Sequence, residues 1–270
     1  MSVALAAALS GCAGPAPLRE VRSPEPPGAS RALDQCAERC FAEAKAALAA
    51  GDVATAQDRL RGVRRAAPNT RWAGRAALLL ARVDAERDPE AGLRYALQAA
   101  ADLPELGDHA LAVAADAAQH GGRPVQAAGY LHELARRYPQ SSLVPTALWS
   151  AAALWAPLDG RQGEAIAALT ALSTDFPSDP RVPEALAKIV SLAAPSGRRE
   201  EAALACRRLV VDFPASPDAA SVAESCLKAL RDDGAPLTFS ELRRRAEGLA
   251  RGAKFSEALD VWQDLKRSAP

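Results

Sequence analysis

Aromatic residues make up only 4% of this chain, and much of its 49% apolar content is alanine. Side chains of that size suit close helix packing and supply little bulk for one deep core, which points away from a compact globule. Charge of neither sign is in excess, since 33 Lys and Arg balance 33 Asp and Glu. A net charge of zero gives no overall pull toward nucleic acid or an anionic membrane surface. Histidine is scarce: His109, His120 and His132 are the three in the chain. No GxSxG elbow, HExxH helix or phosphate-cradling glycine loop occurs either, so no catalytic residue is assigned and the chain reads as a non-enzyme. Glu200 and Glu201 are adjacent on a helix and point apart, unlike a glycosidase pair. No stretch reaches about 18 uninterrupted apolar residues, the length a membrane-spanning helix needs.

What the chain does have is a repeat. Pro68, Pro104, Pro139, Pro177, Pro214 and Pro270 each close a helical stretch, and the first five are separated by 36, 35, 38 and 37 residues. Twelve residues before each proline stands a small side chain: Ala56, Gly92, Ala127, Ala165, Ala202 and Ala258. Five before it stands an apolar one: Val63, Ala99, Leu134, Leu172, Leu209 and Leu265. Seventeen before it, four of the six repeats carry glycine, as Gly51, Gly122, Gly160 and Gly197, and Arg87 takes that place in the second. Glycine permits the tight turn between helices, a small residue lets two helix backbones approach, and proline cannot continue the helix it follows. The period therefore predicts two antiparallel helices per repeat, stacked on the next pair. After Pro214 the spacing lengthens to 56 residues. That leaves room for an extra helix near 217–231 before a last pair near 240–250 and 254–267.

These marks resemble the tetratricopeptide family, and the resemblance implies an all-α, right-handed superhelical solenoid of antiparallel pairs over 32–270. The final pair ends where another helix is expected to begin, which leaves open that 270 is the end of a fragment.

At the other end, VALAAAL leads into Leu9, Ser10, Gly11 and Cys12, which is similar to the lipobox of bacterial lipoproteins. The resemblance implies a signal peptide over 1–11, cleavage before Cys12 and lipid attachment there. Ala13 rather than Asp follows the cysteine, which in Gram-negative families implies sorting to the outer membrane; no Lys or Arg precedes the apolar run. Residues 12–31 are rich in Pro, Ala, Gly and Ser without helical period and read as a tether. The expected location is thus outer-membrane, lipid-anchored and facing the periplasm.

Outside the repeat marks, a few residues invite a chemical reading. His109, Asp116 and His120 share a helical face, and His132 can pack opposite His109, but no zinc-ligand spacing appears, so no metal or cofactor is assigned. Cys36 and Cys40 lie one turn apart, a poor geometry for a disulfide, and read as small buried side chains, with a bridge to some other segment as the alternative. Cys206 and Cys226 flank the Pro214 turn and can meet as a disulfide; two free buried thiols are the alternative. The Arg243, Arg244, Arg245 run reads as a solvated helix face. Ser142 and Asp179 are candidate helix caps. Tyr138, Phe176 and Phe213 read as seals between repeats, and Trp149 and Trp155 as packing, though one can lie in a groove.

The segments YPQSSLVPTAL, FPSDPRVPEAL and FPASPDAASVA resemble repeats of bacterial envelope scaffold lipoproteins and of the helical region of soluble lytic transglycosylases. The first resemblance implies a non-catalytic envelope scaffold binding a protein or peptide in the groove lined by the first helices of each pair, where Asp84, His109, Asp116, Gln119 and Glu184 are the polar candidates. The second implies the helical module of a peptidoglycan lytic transglycosylase whose catalytic domain is absent from this chain, with peptidoglycan as partner. A cytosolic repeat adaptor is a third reading. No nucleic-acid partner is expected.

Overall fold

The computed structural model describes residues 27–68 and 70–268. Cys12, the lipobox-like run and most of the tether lie outside the described residues. Within them the secondary structure is helical throughout, with no strand. In chain order the helices are α1 (Pro27–Ala49), α2 (Val53–Ala66), α3 (Arg71–Asp84), α4 (Pro89–Asp102), α5 (Gly107–His120), α6 (Pro124–Arg137) and α7 (Val144–Trp155). They are followed by α8 (Gln162–Asp175), α9 (Val182–Ala193), α10 (Arg199–Asp212), α11 (Pro217–Asp232), α12 (Phe239–Arg251) and α13 (Phe255–Ser268). Helix α1 is described from Pro27 and so includes residues 27–31 of the stretch read as tether.

Helices α1 to α10 form five antiparallel pairs, each helix packed on its neighbours in sequence, and α3 also touches the first helices of the pairs on either side, α1 and α5. Helix α11 packs on α10 and α9, while α12 packs on α10 and α13. The long final spacing is therefore one inserted helix and then a hairpin, as its length requires.

The periodic marks have distinct physical roles. All six residues five before the prolines are buried, from Val63 to Leu265. The larger of these, such as Leu134 and Leu172, each contribute about 1.5–3 kcal/mol by burial. The small residue twelve before the proline sets how closely two helices cross. At Gly92 a Cβ would stand 2.9 Å from the Cα of Ala85, so α3 and α4 meet backbone to backbone.

The glycines seventeen before the prolines all have positive φ, between 70° and 78°. At Gly51, Gly122 and Gly197 the following N–H reaches back five residues to a helix carbonyl, as from Arg123 to Ala118 at 2.8 Å. This closes the helix end in a Schellman motif. The equivalent position of the last repeat is Ala253, which adopts φ 58° without being glycine.

Two residues after Pro68, Pro139, Pro177 and Pro214 a polar side chain organises the entry to the next helix, whereas Leu106 takes that place after Pro104 and makes no side-chain cap. Thr70 and Ser216 accept from the N–H three residues on, as helix caps. Ser141 and Asp179 instead accept from the N–H two residues on, at Leu143 and Arg181. Neither Ser142 nor Asp179 is thus an N-cap: Leu143 and Arg181 hold those places without a side-chain cap bond, and Ser141 and Asp179 hold the turns ahead of α7 and α9.

Further bonds tie each repeat to the next. Arg123 donates to Glu90 at 2.7 Å, Ser141 to Asp108 at 2.5 Å, Arg207 to Glu241 at 2.6 Å and Arg208 to the carbonyl of Ser173 at 2.6 Å. Each spans between 33 and 35 residues, about one repeat.

Candidate binding cleft

The stacking of pairs leaves clefts on both sides of the solenoid. On the side of the first helices, α7 and α9 flank a cleft of about 390 Å³ floored by Leu169 of α8. One pair further along, α9 and α11 flank another, of about 340 Å³, with α10 beneath. On the side of the second helices, α6 and α8 bound a third cleft around Val144 and Leu148 of α7. Volumes above about 300 Å³ with mostly apolar walls are in the range that holds a side chain or small ligand.

The cleft between α7 and α9 has a tryptophan, Trp149, in its wall. Trp149 is half-buried at its edge, and Ala152, Ala153 and Ala156 make the rest of that wall small and smooth. Two cations face the indole. The Arg181 guanidinium carbon lies 5.8 Å from its ring centroid and the Lys188 ammonium 5.4 Å, both within reach of the negative π face. Arg181 is fixed by Asp179, its Nε donating to Oδ1 at 2.9 Å and a terminal nitrogen to Oδ2 at 2.7 Å. That pairing holds the Asp179 carboxyl below its ordinary value. Lys188 is held less firmly, since its pairing with Glu184 at 3.4 Å is solvent-exposed and contributes well under about 1 kcal/mol. The lysine is therefore free to exchange Glu184 for an incoming carboxylate.

Of the sequence-derived candidates, Glu184 stands beside this cleft through Lys188. His109, Asp116 and Gln119 are exposed on α5, away from it, and Asp116 pairs with His120 at 3.4 Å. Asp84 is not a surface residue. It is 2% exposed, accepts from the Gln57 amide through Oδ1, and leaves Oδ2 buried without a hydrogen-bond partner. Burial holds its carboxyl above the ordinary value, opposed by the Gln57 hydrogen bond. Its position at the end of α3, under α2 and α4, makes it part of the packing between repeats and removes it from the groove.

His132 does not pair with His109; its ring meets the edge of Trp155, centroids 5.7 Å apart. No group of three or more metal-ligating side chains occurs among the described residues.

The arginine run divides among three tasks. Arg243 pairs with Glu247 at 2.8 Å along its own helix and Arg244 pairs with Asp212 across to α10. Arg245 is 7% exposed and donates to the Val210 carbonyl at 2.8 Å. It is thus a buried tie between α12 and α10 and not part of a solvated face.

Cys206 and Cys226 are bonded, their Cα atoms 5.3 Å apart, and join α10 to α11. Cys36 and Cys40 are free, the first exposed and the second half-buried. They are not the buried side chains expected, because α1 is the first described helix and has neighbours on one side alone.

The helix pairs, turns and proline exits describe a known architecture. A tetratricopeptide repeat profile matches residues 90–141. Among solved structures, a tetratricopeptide repeat protein from Parabacteroides merdae ATCC 43184 superimposes with a TM-score of 0.50 at 14% identity, covering 87% of this chain and 94% of its own. The fold is a tetratricopeptide-repeat solenoid. The type IV pilus biogenesis factor PilW aligns over the same shares at 14% identity and a TM-score of 0.41. No curated protein matches the chain in sequence. Repeats of this fold serve protein–protein interaction, and their curved surfaces supply the grooves.

Proposed function

We propose that the chain is a non-catalytic cell-envelope lipoprotein, anchored in the outer membrane through Cys12, that holds a protein or peptide along the first-helix side of its repeats. The observation that carries the binding reading is the cleft between α7 and α9, where Trp149 offers an apolar face next to an exchangeable Lys188. Such a cleft takes one apolar anchor of an extended peptide or inserted helix, with a carboxylate of the partner meeting the lysine. The lipoprotein part rests on the Leu9–Cys12 sequence and the Pro-rich stretch after it. The Cys206–Cys226 bond is in keeping with an oxidising compartment such as the periplasm.

Two measurements test the two halves separately. A photo-crosslinking residue in place of Ser191 should trap a discrete partner in intact cells, and Trp149→Ala should abolish that product; a product that survives Trp149→Ala rejects the cleft. Cys12→Ala should move the protein from the membrane pellet to the soluble fraction with unchanged helical circular dichroism. An amino terminus intact at Met1 by mass spectrometry rejects the anchor.

A further inference from the structure

Cys36 and Cys40 stand one helical turn apart on α1, and neither is engaged in a disulfide. One sulfur is open to solvent. The other is half-buried, packed with Phe41 against the cluster that contains Trp72. At a spacing of four residues the two side chains leave the same face of α1. A bond between them is disfavoured, because side chains at i and i+4 run side by side along a helix axis. A tetrahedral zinc site lacks ligands, since no cluster of three donors occurs among the described residues. An ion satisfied by two soft donors needs nothing more than this pair.

We propose that Cys36 and Cys40 form a two-coordinate bis-thiolate site for monovalent copper. Thiolate is the protein donor that selects this ion over the hard divalent cations. The reaction is an exchange: two S–H bonds break, two Cu–S bonds form, two protons leave to solvent and no electron moves. The product carries one negative charge on the two sulfurs, and Arg39, on the same turn, is the cation whose field offsets it. Phe41 and the Trp72 cluster cover the Cys40 side, so water reaches the ion from the Cys36 side. The site lies at the far end of the described solenoid from α13, and its occupation leaves the cleft at Trp149 untouched.

The test uses the full chain carrying Cys12→Ser, so that Cys36 and Cys40 are the two titratable thiols and the Cys206–Cys226 bond stays closed. Cuprous ion is offered anaerobically as its coloured complex with bicinchoninate. The chain should withdraw one ion per molecule, and X-ray absorption should show two sulfur neighbours. Cys36→Ala changes an exposed side chain and should lower the affinity more than about 100-fold, beyond the cost of losing an outer-shell group, while circular dichroism stays the same. Copper left with the chelator, equal retention by Cys36→Ala, or one ion shared between two chains would each overturn the proposal.

Discussion

The hydroxyl of Tyr138 occupies the place of a side chain at Gly107: a Cβ built there would lie 1.8 Å from that oxygen and 2.5 Å from the ring carbon bearing it. The tyrosine follows α6 and wedges beneath the first residue of α5, where Ser141 and Asp108 also bond. Gly107→Ala must push the whole ring aside, and overpacking of this kind costs about 1–3 kcal/mol. Urea unfolding should show that loss. In a Tyr138→Leu background the same substitution should cost much less, and an equal cost in both backgrounds would remove the wedge from the explanation.

Ala253 gives the opposite sign. Its φ of 58° places an L side chain in the left-handed region that glycine occupies at 51, 122, 160 and 197. That conformation costs about 1–2 kcal/mol for an L-residue. Ala253→Gly should therefore stabilise the last hairpin, and Gly122→Ala should destabilise the third by a similar amount. Thermal melts of the two variants should move in opposite directions.

Asp84 links stability to pH. Its folded-state pKa is raised by burial, so the stability it adds is fully present below the unfolded carboxyl value and is lost as pH rises through the folded one. As pH rises the unfolded chain releases this proton more readily than the folded one, so the buried carboxyl costs stability. Asp84→Asn should unfold at higher urea than the parent at pH 7, with the difference shrinking as pH falls below the unfolded carboxyl value of about 3.9, where folded and unfolded states both hold the proton. A constant difference across that range would show that charge is not the cause.

The Cys206–Cys226 bond closes a loop with a sequence separation of 20, and the helix it secures has neighbours on one side, in α9 and α10. Cross-links over loops of this size contribute about 3 kcal/mol. In a repeat protein that loss stays local. Adding a dithiol reductant should speed amide exchange in α11 and leave α3 to α8 unchanged; uniform loss of protection would mean that the bond supports the entire array.

The architecture was legible because a helix pair repeats its constraints in register. Leu134 and Leu172 are buried for the same reason, and Gly122 and Gly197 turn by the same torsion. Periodicity reports what every repeat shares. It is silent on what a single repeat does differently, and the candidate cleft depends on such differences: Trp149, Arg181 and Lys188 come together from α7, α9 and the turn between repeats, 32 to 39 positions apart. Asp84 shows the reverse error. A polar residue in an alanine-rich helix looks exposed in one dimension, and its burial follows from α2 and α4 closing over the end of α3, where Gln57 supplies a hydrogen bond from 27 residues away. The arginine run misled for a similar reason, since three adjacent cations on a helix point 100° apart and meet three different surroundings.

The ties between Arg123 and Glu90, Ser141 and Asp108, and Arg207 and Glu241 each bridge about one repeat and no more. Among the described residues no side-chain hydrogen bond, ion pair or disulfide spans more than about one repeat, so nothing there fastens distant parts together when the two ends are drawn out. The chain yields by peeling, pair after pair, and each release of some 36 residues pays out roughly 120 Å of slack at the reach of an extended backbone. Under load the molecule would behave as a graded tension absorber, lengthening in increments while the unpeeled repeats keep their shape.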